Sequence, residues 1–272
     1  MYLDFYGLNK EPFALTPDPD FLFLAPPHRR ALLQLELCLT RDTGFCLITG
    51  EVGSGKTTLI RRLLNTIERN VTVGLISNTS AGFGRLLQWV CMSFELDYGG
   101  NDDIVLYDTF TRFLIAEYAK AHKVVLIVDE AQNLGAARLE ELRVLSNINA
   151  DQHFLLQTIL VGQPELRAML RKPEMLQFAQ RIGAHCHLGA LSDKSTRYYI
   201  QHRLRVAGGP VSLISEPAVA LAYAHSGGIP RLINQYCDRA LVYGFGARAA
   251  RIDGELMAQA IQDRQGDGLR AV

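Results

Sequence analysis

The stretch that decides the fold is GFCLITGEVGSGKTTLI, residues 44–60. Its first part, FCLIT, is mostly apolar and predicts a strand, and the run that opens at Lys56 predicts a helix. Between them, Gly50 and Gly55 bracket four residues and precede Lys56 and Thr57, which gives the GxxxxGK[ST] pattern. Because this glycine-rich turn joins a strand to a helix, the sequence predicts a phosphate-binding loop and therefore a nucleotide site.

The residues of this loop have the chemistry that a bound phosphate needs. Glycines let the backbone curl so that successive N–H groups point at phosphate oxygens, and the following helix N-terminus adds partial positive charge. We expect the Lys56 ammonium to reach the β- and γ-phosphates and the Thr57 hydroxyl to bind Mg²⁺. The predicted ATP-binding residues are Gly50, Glu51, Val52, Gly53, Ser54, Gly55, Lys56, Thr57 and Thr58.

A second motif, VVLIVDEAQNL at residues 124–134, carries two carboxylates. Its unbroken apolar run predicts a strand that is buried on both faces, as in a parallel sheet, where ligands bind at the carboxyl ends of the strands. Asp129 is expected to hold the water shell of Mg²⁺, and Glu130 to orient and deprotonate the water that attacks the γ-phosphate. A small-molecule kinase has less use for the second carboxylate, so the pair predicts an ATPase.

Apolar runs and helical patterns alternate through the first two thirds of the chain. Further strands are predicted at 71–77, 155–162 and 184–191, and helices at 84–96, 107–122, 137–148 and 164–172. This alternation predicts an α/β fold, a P-loop NTPase αβα sandwich with a five-stranded parallel sheet. From Ser192 onward only helical patterns occur, which predicts a small all-helical lid domain. The predicted divisions are 1–43 (N-terminal strap and first helix), 44–191 (ATPase core), 192–265 (lid) and 266–272 (tail).

Composition is that of an ordinary globular protein, with 28 basic and 28 acidic residues in 272. The longest apolar run, VVLIV, is far shorter than the roughly 20 residues of a membrane span. Asp4 stands where a signal peptide would carry positive charge, so we do not expect export. The five scattered cysteines show no CxxC spacing, so we expect reduced thiols in the cytoplasm. A metal site in His185-Cys186-His187 is disfavoured because consecutive strand residues point to opposite faces.

Five segments together resemble the general secretion pathway A protein family of bacterial AAA+ ATPases. They are YGLNKEPFALTPDPDFLFL, TGEVGSGKTTL, VVLIVDEAQNL, ILVGQPEL and GGIPRLIN. The resemblance extends from Tyr2 to about Ile261. It implies an AAA+ core and an ATPase that binds and hydrolyses Mg-ATP at the subunit interfaces of a homo-oligomeric ring, arc or filament. The family includes relatives tied to pilus biogenesis, to exopolysaccharide and protein-sorting loci, and to DNA transposition.

The resemblance also implies roles for three further residues. Gln163 matches sensor 1, which senses the γ-phosphate, and Arg181 matches the arginine finger that enters a neighbouring subunit's site. Arg231 matches sensor 2, and the preceding Ser226-Gly227-Gly228 predicts the turn that lets it approach the nucleotide. Alternatively, Gln163 only caps a strand, and the two arginines are surface charges or salt-bridge partners. Less favoured finger residues are Arg61, Arg167 and Arg171.

Two biological roles fit this resemblance. The first is an assembly or remodelling factor for a bacterial secretion or export system, acting with protein partners of that machine. Secretion members commonly continue into a transmembrane segment and a wall-binding domain, so a complete chain ending at Val272 would act through a partner. The alternative is an ATP-dependent, duplex-DNA-binding regulator of transposition. Its basic face would come from Arg197, His202, Arg203 and Arg205, or from Arg61, Arg62 and Arg69.

The opening stretch, rich in proline and aromatic residues, precedes the phosphate loop. AAA+ proteins build the adenine side of their pocket from this segment and the small domain. Proline holds such a segment extended, so we expect Pro12, Phe13 and the turn at 16–19 to form a strap beside the adenine. A helix beginning near His28 would return the chain to the sheet. The alternative is a strap that only packs on the core or on a neighbouring subunit.

Overall fold

The computed structural model describes residues 1–16, 18–41, 43–67, 70–77, 84–100, 102–150 and 153–266. The chain divides into two compact units. The sheet unit contains Pro27–Gly50 and Leu63–Leu188, and the helical unit contains Met1–Pro26, Glu51–Arg62 and the residues from Gly189 onward. The domain limits drawn from the sequence remain predictions.

The sheet unit is built on parallel strands. In chain order the strands are β1 (Phe45–Gly50), β2 (Val71–Ile76), β3 (Lys123–Val128), β4 (Asn149–Ala150), β5 (His153–Phe154), β6 (Leu156–Gly162) and β7 (Ile182–Leu188). Five of them form a parallel sheet in the order β2-β3-β6-β1-β7, and β4 pairs with β5 as a short antiparallel ribbon. The predicted five-stranded parallel sheet and αβα fold class are confirmed; the ribbon was not predicted.

Helices account for most of the remaining described residues. In chain order they are α1 (Tyr2–Tyr6), α2 (Pro26–Thr40), α3 (Lys56–Leu64), α4 (Leu86–Ser93), α5 (Asp103–Ala119), α6 (Gly135–Leu145), α7 (Pro164–Leu170), α8 (Leu176–Ala179), α9 (Asp193–Val206), α10 (Glu216–Ser226), α11 (Pro230–Gly246) and α12 (Gly254–Gly266). Helix α5 begins four residues before its predicted start because the Asp102 carboxylate accepts a hydrogen bond from the Val105 N–H and caps the helix. The return helix α2 begins at Pro26, two residues before the predicted start.

The three central strands explain why the sheet forms. Every residue of β1 and β6 is buried, and so is every residue of β3 after Lys123, because helices cover both faces of the sheet. The register aligns Leu126 with Thr158 and Leu47 with Leu160. Parallel strands end at the same edge of a sheet. The first residues after β3 and β6 therefore emerge side by side, at the edge where β1 ends.

After Ser192 the described residues form the helices α9, α10, α11 and α12, as the helical patterns of this part of the sequence predict. The core of the helical unit also takes in the opening stretch of the chain. Tyr6, Leu8, Phe13 and Phe21 are buried in one apolar cluster with residues of α9 to α12. The opening stretch is therefore part of this core.

One buried arginine holds the opening stretch on α9. Arg203 is 7% exposed; it donates hydrogen bonds to the carbonyls of Pro12 and Ala14 and to the Tyr199 hydroxyl, and its guanidinium lies 4.7 Å from the centre of the Phe21 ring. This contradicts the suggestion that Arg203 belongs to an exposed basic face. A guanidinium that satisfies backbone carbonyls inside a core is unavailable to a nucleic acid.

The proposed adenine strap is only partly described. Pro12 is buried and Phe13 is 1% exposed, so their packing favours the alternative in which the strap packs on the core. The adenine contact of these two residues stays a prediction. In the predicted turn, Asp18 accepts a hydrogen bond from the Asp20 N–H and starts a 3-10 turn at Pro19–Phe21. Pro17 lies outside the described residues.

Among the residues that the structure describes, no helix combines the length and apolarity needed to cross a bilayer.

Candidate functional site

The phosphate loop follows directly from the buried strand β1. Strand β1 ends at Gly50, and α3 begins at Lys56. Gly53 and Gly55 have φ angles of +79° and +96°, a left-handed region that glycine enters without a steric penalty. Within the loop, the Ser54 N–H donates to the Glu51 carbonyl at 3.1 Å. The loop therefore curls as the sequence motif predicts.

Lys56 is folded back against this loop. Its side chain is 6% exposed, and its ammonium donates to the Glu51 carbonyl at 3.0 Å. Thr57 is exposed in the first turn of α3, where backbone N–H groups have no acceptor within the helix. Together these features supply the donors that a nucleotide phosphate requires. They are the N–H groups of a loop that curls at left-handed glycines, a lysine held at the loop and an exposed hydroxyl at a helix N-terminus. The residues present thus fit a nucleotide and its Mg²⁺.

The helical unit also brings Arg231 to the loop. The Arg231 N–H donates to the Gly53 carbonyl at 3.2 Å, and a Cβ on Gly53 would overlap the Cβ of Arg231. The turn before α11 makes this approach possible, because Gly228 at φ +79° lies against the backbone of Leu191, whose N–H it accepts at 2.8 Å. The predicted proximity of Arg231 and the phosphate loop is present, and its sensor-2 role remains a prediction.

Replacing Gly53 with alanine should therefore damage the loop. The left-handed conformation alone costs a non-glycine residue about 1–2 kcal/mol, and the new methyl would also displace Arg231. We expect a lower thermal midpoint and weaker binding of a non-hydrolysable ATP analogue, measured by calorimetry. Gly189→Ala is a matched control in the same unit, since nothing lies within 4 Å of its Cβ position and its φ is not left-handed. Equal effects of the two changes would contradict the expectation.

The acidic pair lies directly after β3. The Asp129 N–H donates to the Ile76 carbonyl at 2.8 Å, which continues the pairing with β2, and the Asp129 carboxylate accepts the Glu130 N–H at 2.9 Å. Glu130 itself has a left-handed backbone, with φ +51° and ψ +39°. Such a conformation is strained for a residue with a side chain and tends to occur at functional sites. The turn therefore holds Glu130 at the carboxyl edge of the sheet.

Two amides hold the Glu130 carboxylate. Oε2 of Glu130 accepts hydrogen bonds from Nε2 of Gln132 at 2.6 Å and from Nε2 of Gln163 at 3.0 Å. The structure thus brings together Glu130 and Gln163, two of the predicted site residues. Gln132 was not predicted. The available signal was an amide side chain two residues after Glu130 in the motif DEAQ.

The predicted finger residue, Arg181, stands between α8 and β7. Its N–H donates to the Phe178 carbonyl at 2.9 Å, and its side chain is partly buried. The finger role requires a neighbouring subunit, so it remains a prediction. Of the basic residues considered for other roles, Arg61, Arg62 and Arg171 are exposed, and Arg69 lies outside the described residues.

Two histidines of β7 contact the end of β1. The hydroxyl of Thr49 lies 3.2 Å from Nε2 of His185 and 3.1 Å from Nδ1 of His187. Burial, reinforced by neighbouring cationic side chains, lowers the pKa of His185 below its ordinary value. Cys186 lies between them and points to the other face, as expected for a strand. Over the described residues no cluster of three or more metal-binding side chains was found.

The strand order, the curled glycine loop and the carboxylates after β3 place the chain among the P-loop ATPases. A protein-family model described as AAA domain matches residues 39–170. General secretion pathway protein A of Aeromonas hydrophila is 41% identical over 253 residues, which is 93% of this chain and 46% of that protein. The chain is therefore an AAA ATPase related to general secretion pathway protein A, and it spans about half the length of that curated relative.

Solved structures show the same fold at low sequence identity. The ORC2 protein of Aeropyrum pernix, in its ADPNP–ADP complexes, matches with a TM-score of 0.69 and 16% identity, over 93% of this chain and 71% of that chain. The ORC1 protein of Aeropyrum pernix in complex with DNA matches with a TM-score of 0.68 and 16% identity, over 95% of this chain and 70% of that chain. These likenesses confirm the AAA fold, and carry no information on ligands of this chain.

Proposed function

We propose that this AAA ATPase hydrolyses Mg-ATP with Glu130 as the general base. The observation that carries this proposal is the carboxylate of Glu130, held at the carboxyl edge of the sheet by two amides, one of them from Gln163. A base whose side chain is oriented by a third group is the usual arrangement for activating a nucleophile. Glu130 would take the proton of the attacking water, and Gln163 would fix the direction of the carboxylate.

The remaining site residues bind and orient the nucleotide. Bound Mg-ATP supplies the γ-phosphoryl group and a cation that neutralises charge on its oxygens. Lys56 would exchange its hydrogen bond to the Glu51 carbonyl for phosphate oxygens, and loop N–H groups would surround the phosphates. The hydroxyl of Thr57 would bind Mg²⁺, and Asp129 would accept hydrogen bonds from its water shell. Arg231, whose backbone already contacts Gly53, would reach the phosphates of its own subunit.

We also propose that the chain works as a homo-oligomer, with Arg181 of one copy completing the site of the next. The similarity to general secretion pathway protein A supports a role in the assembly or remodelling of a bacterial secretion or export system. The chain spans 46% of that relative. We therefore propose, on the same similarity, that this chain acts with protein partners of such a system. The proposal includes the cytoplasmic location that was predicted from the scattered cysteines of the sequence.

A DNA-dependent role in transposition stays a prediction. Its proposed basic face on α9 loses Arg203, which is buried, while Arg197 forms an ion pair with Glu216 at 3.0 Å. Binding of duplex DNA that requires ATP and weakens steeply with salt would favour this alternative, since phosphate contacts release counterions. Absence of binding at low salt would count against it.

Replacing Lys56 with alanine tests the proposed nucleotide site. Charge-assisted hydrogen bonds contribute about 1.5–3 kcal/mol, so we expect ATP affinity to fall at least about tenfold. We also expect Mg-ATP to increase the solution mass of the natural chain and to leave that of the variant unchanged. Calorimetry and light scattering measure the two effects. Lys194→Ala, at an exposed lysine of α9, is the matched control. Unchanged affinity in the Lys56 variant would refute the proposed site.

A further inference from the structure

Gln132 connects two elements of the site. Its Nε2 donates to Oε2 of Glu130 at 2.6 Å, and its Oε1 accepts the backbone N–H of Gln163 at 3.1 Å. Gln163 is the first residue after β6, and Glu130 is the second after β3. One amide therefore links the two neighbouring strand ends through the carboxylate itself. Together with the Gln163 side chain it makes a closed set of three hydrogen bonds.

Chemistry fixes the orientation of this amide. A backbone N–H can only donate, so the oxygen of the Gln132 amide must face Gln163. Its NH₂ group then faces Glu130, and an ionised carboxylate can only accept. Both amide donors approach the same oxygen, Oε2, which leaves the carboxylate in the accepting role that a general base requires. A flipped amide would place its NH₂ group against the N–H of Gln163 and its oxygen against the carboxylate of Glu130, so neither hydrogen bond could form.

The backbone around Gln132 is adapted to this contact. A Cβ at Gly162 would lie 2.9 Å from Oε1 of Gln132 and 2.6 Å from Cδ2 of Leu166, so glycine leaves the room that the amide occupies. Glu130 keeps a strained left-handed backbone, which persists only when the surroundings determine it. Asp129 holds the N–H of Glu130, and Gln132 holds its carboxylate. Both ends of the residue are therefore constrained.

We propose that Gln132 is a positioning residue for the hydrolytic reaction, which fixes the Glu130 carboxylate relative to Gln163. The proposal rests on the role of Glu130 given under Proposed function. Gln132 acts on the carboxylate and not on the nucleotide. Loss of the Gln132 amide would leave the Gln163 side chain as the remaining amide on the carboxylate and would remove one of the two links between Glu130 and the end of β6.

Gln132→Ala should lower kcat with little change in KM for ATP. Misplacement of a reacting group by about 1 Å can reduce a rate about 100-fold, so we expect a fall between tenfold and 100-fold. The affinity for a non-hydrolysable ATP analogue, measured separately, should stay within about twofold. Asn133→Ala is the matched control, because Asn133 is an adjacent, exposed amide whose contact with Glu130 is through its backbone N–H. Its kcat should be unchanged.

A second variant tests the same proposal in case Gln132→Ala does not fold. Gln132→Glu keeps the length of the side chain and the acceptor for the Gln163 N–H, and removes the donor to Glu130. It should reduce kcat at least as much as alanine does, since two carboxylates would then face each other. Thermal midpoints identify any unfolded variant. Normal kcat in either folded variant would overturn the proposal.

The double variant separates positioning from a structural role. Where Gln132 acts only through Glu130, adding Gln132→Ala to Glu130→Gln should cause no further loss in single-turnover rate, since the two effects are not additive. An independent, additional loss would overturn the proposal. Full turnover in Glu130→Gln alone would refute the base and the positioning role together. Loss of turnover in Glu130→Gln with normal turnover in Gln132→Ala would refute the positioning role only.

Discussion

Glu130→Gln is expected to lower the rate of ATP hydrolysis by a factor of about 10² to 10⁴, the usual contribution of a general base. Glutamine has the same length and cannot accept a proton from water at neutral pH. ATP affinity should be retained, because the residues proposed to bind the phosphates are unchanged. Steady-state phosphate release measures the first quantity, and calorimetry with the unreacted nucleotide measures the second.

The control for this change is Glu174→Gln. Glu174 is an exposed residue in a 3-10 turn of the sheet unit, so its substitution removes the same charge away from the proposed base. Its turnover should match that of the natural chain. A Glu130 variant that hydrolyses ATP at the natural rate would show that another group activates the water. A variant that no longer binds ATP would show that the residue acts on the nucleotide instead.

Arg181→Ala is expected to reduce turnover about 10³-fold or more, the range reported for arginine fingers supplied in trans. The guanidinium would stabilise charge on the γ-phosphoryl group of the neighbouring subunit, so binding of ATP by the variant's own loop should persist. Mixing provides a sharper measurement. Subunits carrying Glu130→Gln keep Arg181 and can serve subunits carrying Arg181→Ala, which keep Glu130. The mixture should recover a fraction of the natural turnover that neither variant has alone.

The outcome of the mixing experiment depends on the oligomer. Arg112→Ala is the control, because Arg112 is exposed on α5 of the same unit and is not among the residues considered for the finger. Normal turnover of the Arg181 variant in an oligomer of natural size would refute the finger. A mixture without recovery, measured at a mass that shows both variants in one assembly, would place the role of Arg181 within its own subunit.

The central strands of the sheet could be predicted because strands that are buried on both faces appear in the sequence as uninterrupted apolar runs. The runs at 45–49 and 124–128 are apolar without alternation, and both became central strands. β7 was predicted two residues late at its start and three residues late at its end. Its burial alternates because it lies at an edge, so its pattern lacks the continuous apolar signal of the central strands.

The secondary structure of the opening stretch could not be predicted, because tertiary contacts decide it. Helix α1 has five residues, fewer than propensity alone can stabilise, and Tyr6 is buried in the core of the helical unit. Arg203, which holds Pro12, is 191 residues away in sequence. No local pattern signals that a charged residue of α9 will be buried against this segment.

The candidate site divides in the same way. Lys56, Thr57, Asp129 and Glu130 lie in short motifs whose local geometry carries their chemistry, so spacing alone indicated them. The contact of Glu130 with Gln163 joins residues 33 apart, and it depends on the order of the strands. Gln132 lies two residues after Glu130 in the motif DEAQ, but its second contact, with the backbone N–H of Gln163, is long-range and could not be predicted from the motif.

The close approach of Arg231 to Gly53 has a thermodynamic consequence. The first turn of α11 is bonded to a carbonyl of the phosphate loop, so the loop cannot change shape while this bond is kept unless α11 follows. Any partner that displaces the start of α11 must then alter ATP affinity, and ATP must alter the affinity of that partner by the same factor. The free energy by which the partner changes ATP binding would then equal the free energy by which ATP changes binding of the partner.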